Sequence, residues 1–185
     1  AGDYARTLGN VPGRVSAFYN AVNRNKRSLA LDLKDPRGLA VFLGLSRRAD
    51  LIVESFRPGV MAKLGLAPEG LLAANAKLVF ASISGYGQTG PRRDVAGHDI
   101  NFLGYAGVLD QTGTRGTPPA LSNLQIADLL GGAASGAIAI LAALFDAQRH
   151  GTGRVVDVAM ADAVLAHNVL ALHALEQWGT VLPRG

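Results

Sequence analysis

The sequence predicts an α/β protein with a mostly parallel sheet that helices cover. Apolar runs of strand length alternate with longer helical patterns from Ser28 onward. The composition is globular, with 49% hydrophobic and only 17% charged residues, and 185 residues suffice for one ordinary domain. Strands separated by helices form βαβ units, whose right-handed crossovers make neighbouring strands parallel.

The elements follow from periodicity and from the residues that interrupt it. Pro36 suits the first turn of a helix, and Pro58-Gly59 breaks the chain after a strand-length run. The predicted strands are residues 28–33, 50–54, 78–83 and 154–159. The predicted helices are residues 36–49, a short stretch through Leu64, then 68–75, 99–109, 129–148 and 162–178. Residues 84–97 and 112–123 are predicted loops.

One apolar stretch has a composition that suits either a membrane span or a core helix. Residues 129–145 carry no charge, but this run is only 17 residues long and contains three glycines and a serine. It is short and interrupted for a span, which needs about 20 apolar residues. We therefore expect a buried helix and no membrane partner.

The chain has no cysteine, which excludes disulfides, thiolate metal sites and a cysteine nucleophile. A metal site is therefore not expected, and a reducing, cytoplasmic compartment fits the composition. The sequence opens at Ala1 without an initiator methionine or an apolar segment behind basic residues. We expect no signal peptide and interpret this start as an internal cut.

Charge is divided unequally along the chain. Residues 1–93 hold 14 of the 18 Lys and Arg but only 6 of the 14 acids. An excess of cations predicts an anionic ligand, and their occurrence in ones and twos favours a small phosphorylated molecule over a nucleic acid, which usually meets a dense basic stripe. The alternative that these cations are solvated helix ends stays open.

Residues 85–90 (GYGQTG) match the dinucleotide pattern G-x-G-x-x-G after a predicted strand. That pattern requires a helix to begin at the loop, so that its first amides meet the pyrophosphate. The following residues, 91–97 (PRRDVAG), show no apolar period. Nicotinamide binding therefore remains only as an alternative function.

Residues 54–59 (ESFRPG) lie where a predicted strand ends and a helix begins, the position at which open α/β sheets bind ligands. Helix-start amides attract phosphate, Arg57 and Lys63 add positive charge, and Phe56 offers an aromatic face. A tight turn without a ligand would also explain this segment.

His98 and Asp128 are the candidate catalytic residues. His98 precedes a predicted helix, whose positive end would favour a neutral imidazole base. Asp128 precedes residues 129–136 (LLGGAASG), where it is expected to cap the helix and stay ionised, while the small residues allow close approach of a substrate. Ordinary helix caps are the alternative for both.

Five segments together resemble the family III CoA transferases and the related α-methylacyl-CoA racemases. They occur in family order across nearly the whole chain: 25–34 (NKRSLALDLK), 49–66 (ADLIVESFRPGVMAKLGL), 97–102 (GHDINF), Ala127-Asp128 followed by Gly131-Gly132, and 151–160 (GTGRVVDVAM). The resemblance implies a Rossmann-like large domain, a smaller second domain and an interlocked homodimer. Because such relatives are longer, residues 1–185 are expected to be part of the large CoA-binding domain, with an N-terminal unit and the small domain outside them.

The resemblance also implies which residues act. Coenzyme A would enter as part of an acyl-CoA substrate, with no tightly bound cofactor. The implied substrate-binding residues are Leu31, Lys34, Phe56, Arg57, Lys63, Asp99 and Asn123. Asp128 matches the aspartate that in transferases forms an acyl anhydride and in racemases exchanges the α-proton. His98 before Asp99 matches the racemase pattern, so racemisation is preferred to CoA transfer.

Racemising a 2-methylacyl thioester requires two groups of moderate pKa on opposite sides of the α-carbon, and His98 and Asp128 are the candidates for that pair. The enolate oxygen also needs donors, for which the amides near Asp128 are the candidates. A CoA-binding regulatory relative without turnover is an alternative, recognised by ligand binding without catalysis. The nicotinamide alternative would show NAD binding that Gly87→Val abolishes.

Overall fold

The computed structural model describes residues 3–9 and 16–185. The chain divides into two compact units, Ala1–Phe42 and Leu43–Gly185.

The larger unit contains a three-stranded parallel sheet, which confirms the predicted fold class. Its strands are β1 (Leu51–Glu54), β2 (Val79–Ser84) and β3 (Arg154–Ala159), and their spatial order is β1-β2-β3. Glu54 pairs with Ser82, and Ser82 pairs with Asp157, so polar residues share one row near the carboxyl ends of the strands. Ligands of open α/β sheets bind at this end.

The helices are mostly those that the sequence predicts. They are α1 (Ala17–Val22), α2 (Pro36–Ser46), α3 (Val60–Lys63), α4 (Pro68–Ala74), α5 (Asp99–Tyr105), α6 (Ser135–His150), α7 (Met160–His167) and α8 (Val169–Trp178). Short 3-10 turns occur at Tyr4–Thr7 and Leu109–Gln111. The stretch Ala127–Ala134, here called the π segment, forms a π-helix that runs directly into α6.

The smaller unit differs from expectation. Residues 28–33 are irregular rather than a strand. A strand exists only through pairing with a neighbour, and this stretch ends in a turn in which Asp32 accepts the Lys34 N–H through its side chain at 2.9 Å and the Asp35 N–H through its carbonyl at 3.2 Å. The prediction of a strand at residues 28–33 was therefore wrong.

Two predicted helices also have a different form. The helix expected at 162–178 is interrupted at Asn168, whose side-chain amide donates to the Ala106 carbonyl oxygen at 3.1 Å. The helix expected at 129–148 begins earlier, at Ala127, and its first turns are π-helical. The Ser135 N–H at its end donates to the Leu130 carbonyl, five residues back, which is the bond that defines a π-helix.

The expectation of a fully buried helix at 129–145 was wrong. Ala127–His150 is long and apolar enough to cross a membrane by length and composition, and only 28% of its most apolar window is buried. One face packs on the sheet, where Ala143 and Ala147 contact Val79. The opposite face leaves Ile138 and Phe145 exposed. The helix is therefore amphipathic in its packing although it carries few polar residues.

Candidate active site

His98 is fixed at the start of α5. It occupies the N-cap position, and its backbone N–H donates to Asn101 Oδ1 at 2.9 Å. This bond to the Asn101 side chain gives the His98 N–H, a donor at the helix start, a partner that it would otherwise lack. The His98 side chain is exposed and therefore available to a ligand. The sequence placed His98 correctly at a helix start.

Asp99 links His98 to Asp128. Its Oδ1 accepts the backbone N–H of Ala127 at 2.6 Å and that of Asp128 at 3.0 Å. Because His98 and Asp99 are consecutive, these bonds bring the start of α5 to the start of the π segment. Phe102 and Leu103 of α5 share a core cluster with Ala127, which packs the two elements together.

The Asp128 carboxyl lies within electrostatic reach of both Asp99 and His98. The pKa of the Asp128 carboxyl is raised, first because the surrounding turn removes part of its water and then because Asp99 is negative. The His98 imidazole acts in the opposite direction. Asp128 as a residue is nevertheless exposed, so a partly desolvated carboxyl group remains open to a substrate.

One expectation about Asp128 is corrected. It is not the helix cap, since the N-cap position is Ile126 and Asp99 supplies the carboxylate that binds the first amides. Its surroundings raise its pKa, whereas the hydrogen bonds of a helix cap would lower it. The amides proposed for the enolate oxygen are already bonded, to Asp99 in the case of Ala127 and Asp128, and to the Gln125 carbonyl in the case of Leu129.

The glycines after Asp128 serve packing rather than substrate approach. Gly131 and Gly132 are both buried. A Cβ on Gly131 would stand 2.8 Å from Val164 Cγ2, and one on Gly132 would stand 3.1 Å from Met160 Sδ. The π segment therefore lies against α7 at a distance that only glycine permits.

In the glycine-rich loop, residues 85–90 are not followed directly by a helix, which the dinucleotide pattern requires. The next helix, α5, begins only at Asp99, far from Gly85. The loop instead encloses an aromatic cluster in which the Tyr86 ring packs edge-on against Phe102 and Tyr105, with centroids 5.2 and 5.5 Å apart. Its Gln88 N–H donates to Asp157 Oδ2 at 2.9 Å, which ties the loop to β3.

Three predicted CoA-binding residues follow β1. Phe56 and Lys63 are exposed, and the Phe56 N–H donates to Glu54 Oε2 at 2.7 Å. Arg57, together with Glu54, lines a cavity of about 270 Å³ at the carboxyl end of β1. The helix that follows, α3, has only four residues, and its Val60 N–H already donates to the Arg57 carbonyl. Its start is therefore a weaker anion site than the sequence suggests.

The other predicted binding residues are Leu31, Lys34, Asn123 and Asp99. Leu31 is partly buried and Lys34 is exposed, both in the smaller unit. Asn123 is exposed in the loop before the π segment. Asp99 has a role that the sequence does not reveal, because the distance between residues 99 and 128 in the chain gives no signal of contact. Within residues 3–9 and 16–185, no three His, Asp or Glu side chains gather as metal ligands.

The chain belongs to CoA-transferase family III, whose family model matches residues 1–181. It is 44% identical to human alpha-methylacyl-CoA racemase over 166 residues, which cover 89% of this chain and 43% of the human protein. It is also 39% identical to acetyl-CoA:oxalate CoA-transferase of Acetobacter aceti over 178 residues, which cover 96% of this chain and 45% of that protein. The chain therefore spans less than half the length of these relatives.

A solved structure shows the same fold. A CAIB/BAIF family protein from Brucella suis is 33% identical and superposes with a TM-score of 0.91, covering 99% of this chain and 50% of that chain. The predicted family and fold are thereby confirmed. The relatives include racemases and transferases at comparable identity, so the family alone does not select one reaction.

Proposed function

We propose that the full-length protein racemises 2-methylacyl-CoA thioesters, with His98 and Asp128 exchanging the α-proton. The observation that carries this proposal is the pair of hydrogen bonds that the backbone amides of Ala127 and Asp128 donate to Asp99 Oδ1. They join the two elements on which the candidate acid and base stand. The human and mouse racemases, at 44% and 46% identity, support the same choice.

The reaction needs one proton removed and one returned. One member of the pair takes the α-proton, and the electrons of the C–H bond move to the thioester oxygen as an enolate. The other member, protonated, then delivers a proton to the opposite face of the carbon. Positioned proton transfer contributes about 10² to 10⁴ in rate, and a raised Asp128 pKa suits a carboxyl that must both accept and donate.

CoA transfer is the second candidate function, and the exposure of the Asp128 carboxyl favours it. In that reaction Asp128 attacks the thioester carbonyl, the C–S bond breaks, and CoA leaves as a thiolate. The acyl group remains as a mixed anhydride on Asp128 until an acceptor carboxylate and CoA complete the exchange. Transferase relatives at 39% and 43% identity are consistent with it.

One experiment separates the two reactions. The full-length protein is incubated in D₂O with one epimer of a 2-methylacyl-CoA, with and without a free carboxylic acid. Racemisation places deuterium at the α-carbon and forms the other epimer in both samples. Transfer moves CoA to the added acid and leaves the α-proton in place. Absence of both products would overturn the proposed activity.

The His98→Ala variant provides the residue-level test. It should lower α-proton exchange by about 10² or more, because a positioned base is lost, and it should leave acyl transfer intact. His150→Ala is the matched control. His150 is an exposed histidine that pairs with Asp146 at 2.7 Å on α6, and its loss should leave exchange unchanged. Equal effects of the two variants would argue against His98 as a catalytic residue.

We further infer an interlocked homodimer that binds its acyl-CoA substrate in the cytoplasm. The family resemblance motivates the assembly. The exposed apolar side chains of α6, among them Ile138, Leu141 and Phe145, are consistent with a surface that further protein covers. Sedimentation of the full-length protein tests the dimer, since a monomer at all concentrations would contradict it.

A further inference from the structure

We propose that Asp99 is a positioning residue whose carboxylate closes the first turn of the π segment and so holds Asp128 beside His98. This inference rests on the proposed function of that pair. It assigns Asp99 a role inside the protein, in place of the substrate contact that the sequence suggests.

The amide groups at the start of the π segment need hydrogen-bond acceptors. The first amides of a helix have no partner within the helix, and a side chain near its start usually supplies one. Ile126, at the N-cap position of the π segment, has no side-chain acceptor. Asp99 Oδ1 takes this place for both Ala127 and Asp128, from 28 and 29 residues earlier in the chain.

Asp99 is itself held in place by α5, the helix that it begins. It is the first residue of α5, directly after the N-cap His98, whose N–H is bound by Asn101. Phe102 and Leu103, on the same short helix, are 3% and 7% exposed. Because this turn is anchored, its carboxylate fixes the π segment relative to α5. The spacing between His98 and Asp128 is fixed in the same way.

Asp99 also acts on Asp128 through its negative charge. The charges that shift the Asp128 pKa are the negative Asp99 and, in the opposite sense, His98. The other titratable groups on elements packed against the π segment include Asp157 of β3 and Asp162 and His167 of α7. A carboxylate at position 99 therefore both orients Asp128 and favours its protonated form.

Two substitutions separate these effects. Asp99→Asn keeps an oxygen that can accept the two amides but removes the charge, whereas Asp99→Ala removes both. Asp94→Asn is the matched control, because Asp94 is 83% exposed, lies in the same chain segment and pairs only with Arg93 among the described residues, at 3.6 Å.

In the full-length enzyme we expect Asp99→Ala to lower kcat by roughly tenfold to a hundredfold, since small misplacement of a catalytic group has effects of that size. Asp99→Asn should retain kcat within about threefold of the wild type. The acidic limb of its pH profile should move to lower pH, because removal of a negative neighbour lowers the Asp128 pKa. Asp94→Asn should move neither quantity. A wild-type kcat and pH profile in Asp99→Ala would overturn the proposal.

A measurement without turnover distinguishes this proposal from the proposed function. The titration of ¹³C-labelled aspartate carboxyls, with the Asp128 signal assigned by its loss in Asp128→Asn, should move to lower pH in Asp99→Asn. Amide exchange at Ala127 and Asp128 should accelerate in Asp99→Ala only. If the wild type neither racemises nor transfers, the proposed function fails while these two readouts still decide the role of Asp99. Unchanged titration and unchanged exchange would refute it.

Discussion

Gly131 and Met160 approach so closely that a Cβ on Gly131 would stand 2.7 Å from the Met160 carbonyl oxygen. The backbone cannot easily move away from this contact on either side, because Gly131 lies in the π segment and Met160 begins α7. We expect Gly131→Ala to lower the free energy of unfolding by about 1–2 kcal/mol, an overpacking cost reduced by alanine's better helix propensity. Chemical denaturation measures this change.

Gly70→Ala is the control for that prediction. Gly70 is exposed within α4, and a Cβ there would meet no atom within 4 Å among the described residues. The substitution should stabilise the protein by about 0.5–1 kcal/mol, as alanine loses less chain entropy than glycine on folding. If both substitutions changed the free energy of unfolding by similar amounts, the close contact with Met160 would not be the cause of the effect at Gly131.

Asp128→Asn should stabilise the protein at neutral pH. Because the folded-state pKa of Asp128 lies above the ordinary value of 3.8, the ionised carboxyl is less favourable in the folded than in the unfolded state. The stability that the protonated group provides is complete below pH 3.8 and is lost as the pH rises through the raised folded pKa. Melting temperatures of variant and wild type should therefore differ at pH 7 and converge in acid.

The opposite trend in this pH series would contradict the raised pKa. Asp110→Asn is a suitable control carboxylate, since its partner Arg184 lies 3.2 Å away and outside the candidate site. Its replacement removes an attractive pair and should lower the melting temperature slightly at pH 7. The two substitutions then act in opposite directions.

Tyr86→Phe should stabilise the protein by up to about 1 kcal/mol. The Tyr86 hydroxyl is buried and has no hydrogen-bond partner among the described residues, and an unsatisfied buried polar group costs about 1–3 kcal/mol. Burial also raises the pKa of this hydroxyl. Thermal unfolding tests the prediction, and a destabilised variant would show that the hydroxyl has a partner in the full-length protein.

Tyr105→Phe is the matched change. Tyr105 is 54% exposed, so its hydroxyl reaches water, and the ring that stays in the variant still lies 4.0 Å from the Arg92 guanidinium. We expect a change within about 0.5 kcal/mol.

Phe56→Ala should weaken coenzyme A binding about tenfold, if the exposed Phe56 ring stacks on the adenine as the resemblance implies. Stacking of a base on an aromatic side chain contributes about 1–3 kcal/mol. Calorimetric titration with CoA measures the dissociation constant. Phe145→Ala is the control, because Phe145 on α6 is also an exposed phenylalanine, at 60% against 48% for Phe56, and its loss should leave the constant unchanged.

The sequence predicts the sheet well because its strands carry the information locally. Val79, Phe80 and Ala81 of β2 are almost fully buried, and such strands appear as continuous apolar runs. Residues 28–33 have a similar pattern but no strand. Pairing depends on a neighbour elsewhere in the chain, which local composition does not reveal.

The sequence singles out candidate residues for the site but not their arrangement. His98 and Asp128 stand out by their neighbours in the sequence, and the family resemblance joins them. The hydrogen bonds that the amides of Ala127 and Asp128 donate to Asp99 connect positions nearly 30 residues apart. The π-helical form of Ala127–Ala134 also escapes an apolar pattern that fits an α-helix equally well.

The π segment has an implication for how this region tolerates a change in length. A wider helical turn accommodates an extra residue relative to the α-helix that follows it. Deletion of one residue between Asp128 and Ala134 would let α6 continue backward in ordinary α-helical form. Each residue of an α-helix advances about 100° around the axis, so a deletion inside α6 would turn Asp128 about the helix axis. The return of the π segment to α-helical form instead absorbs a deletion within that segment and keeps Asp128 on its side of the helix.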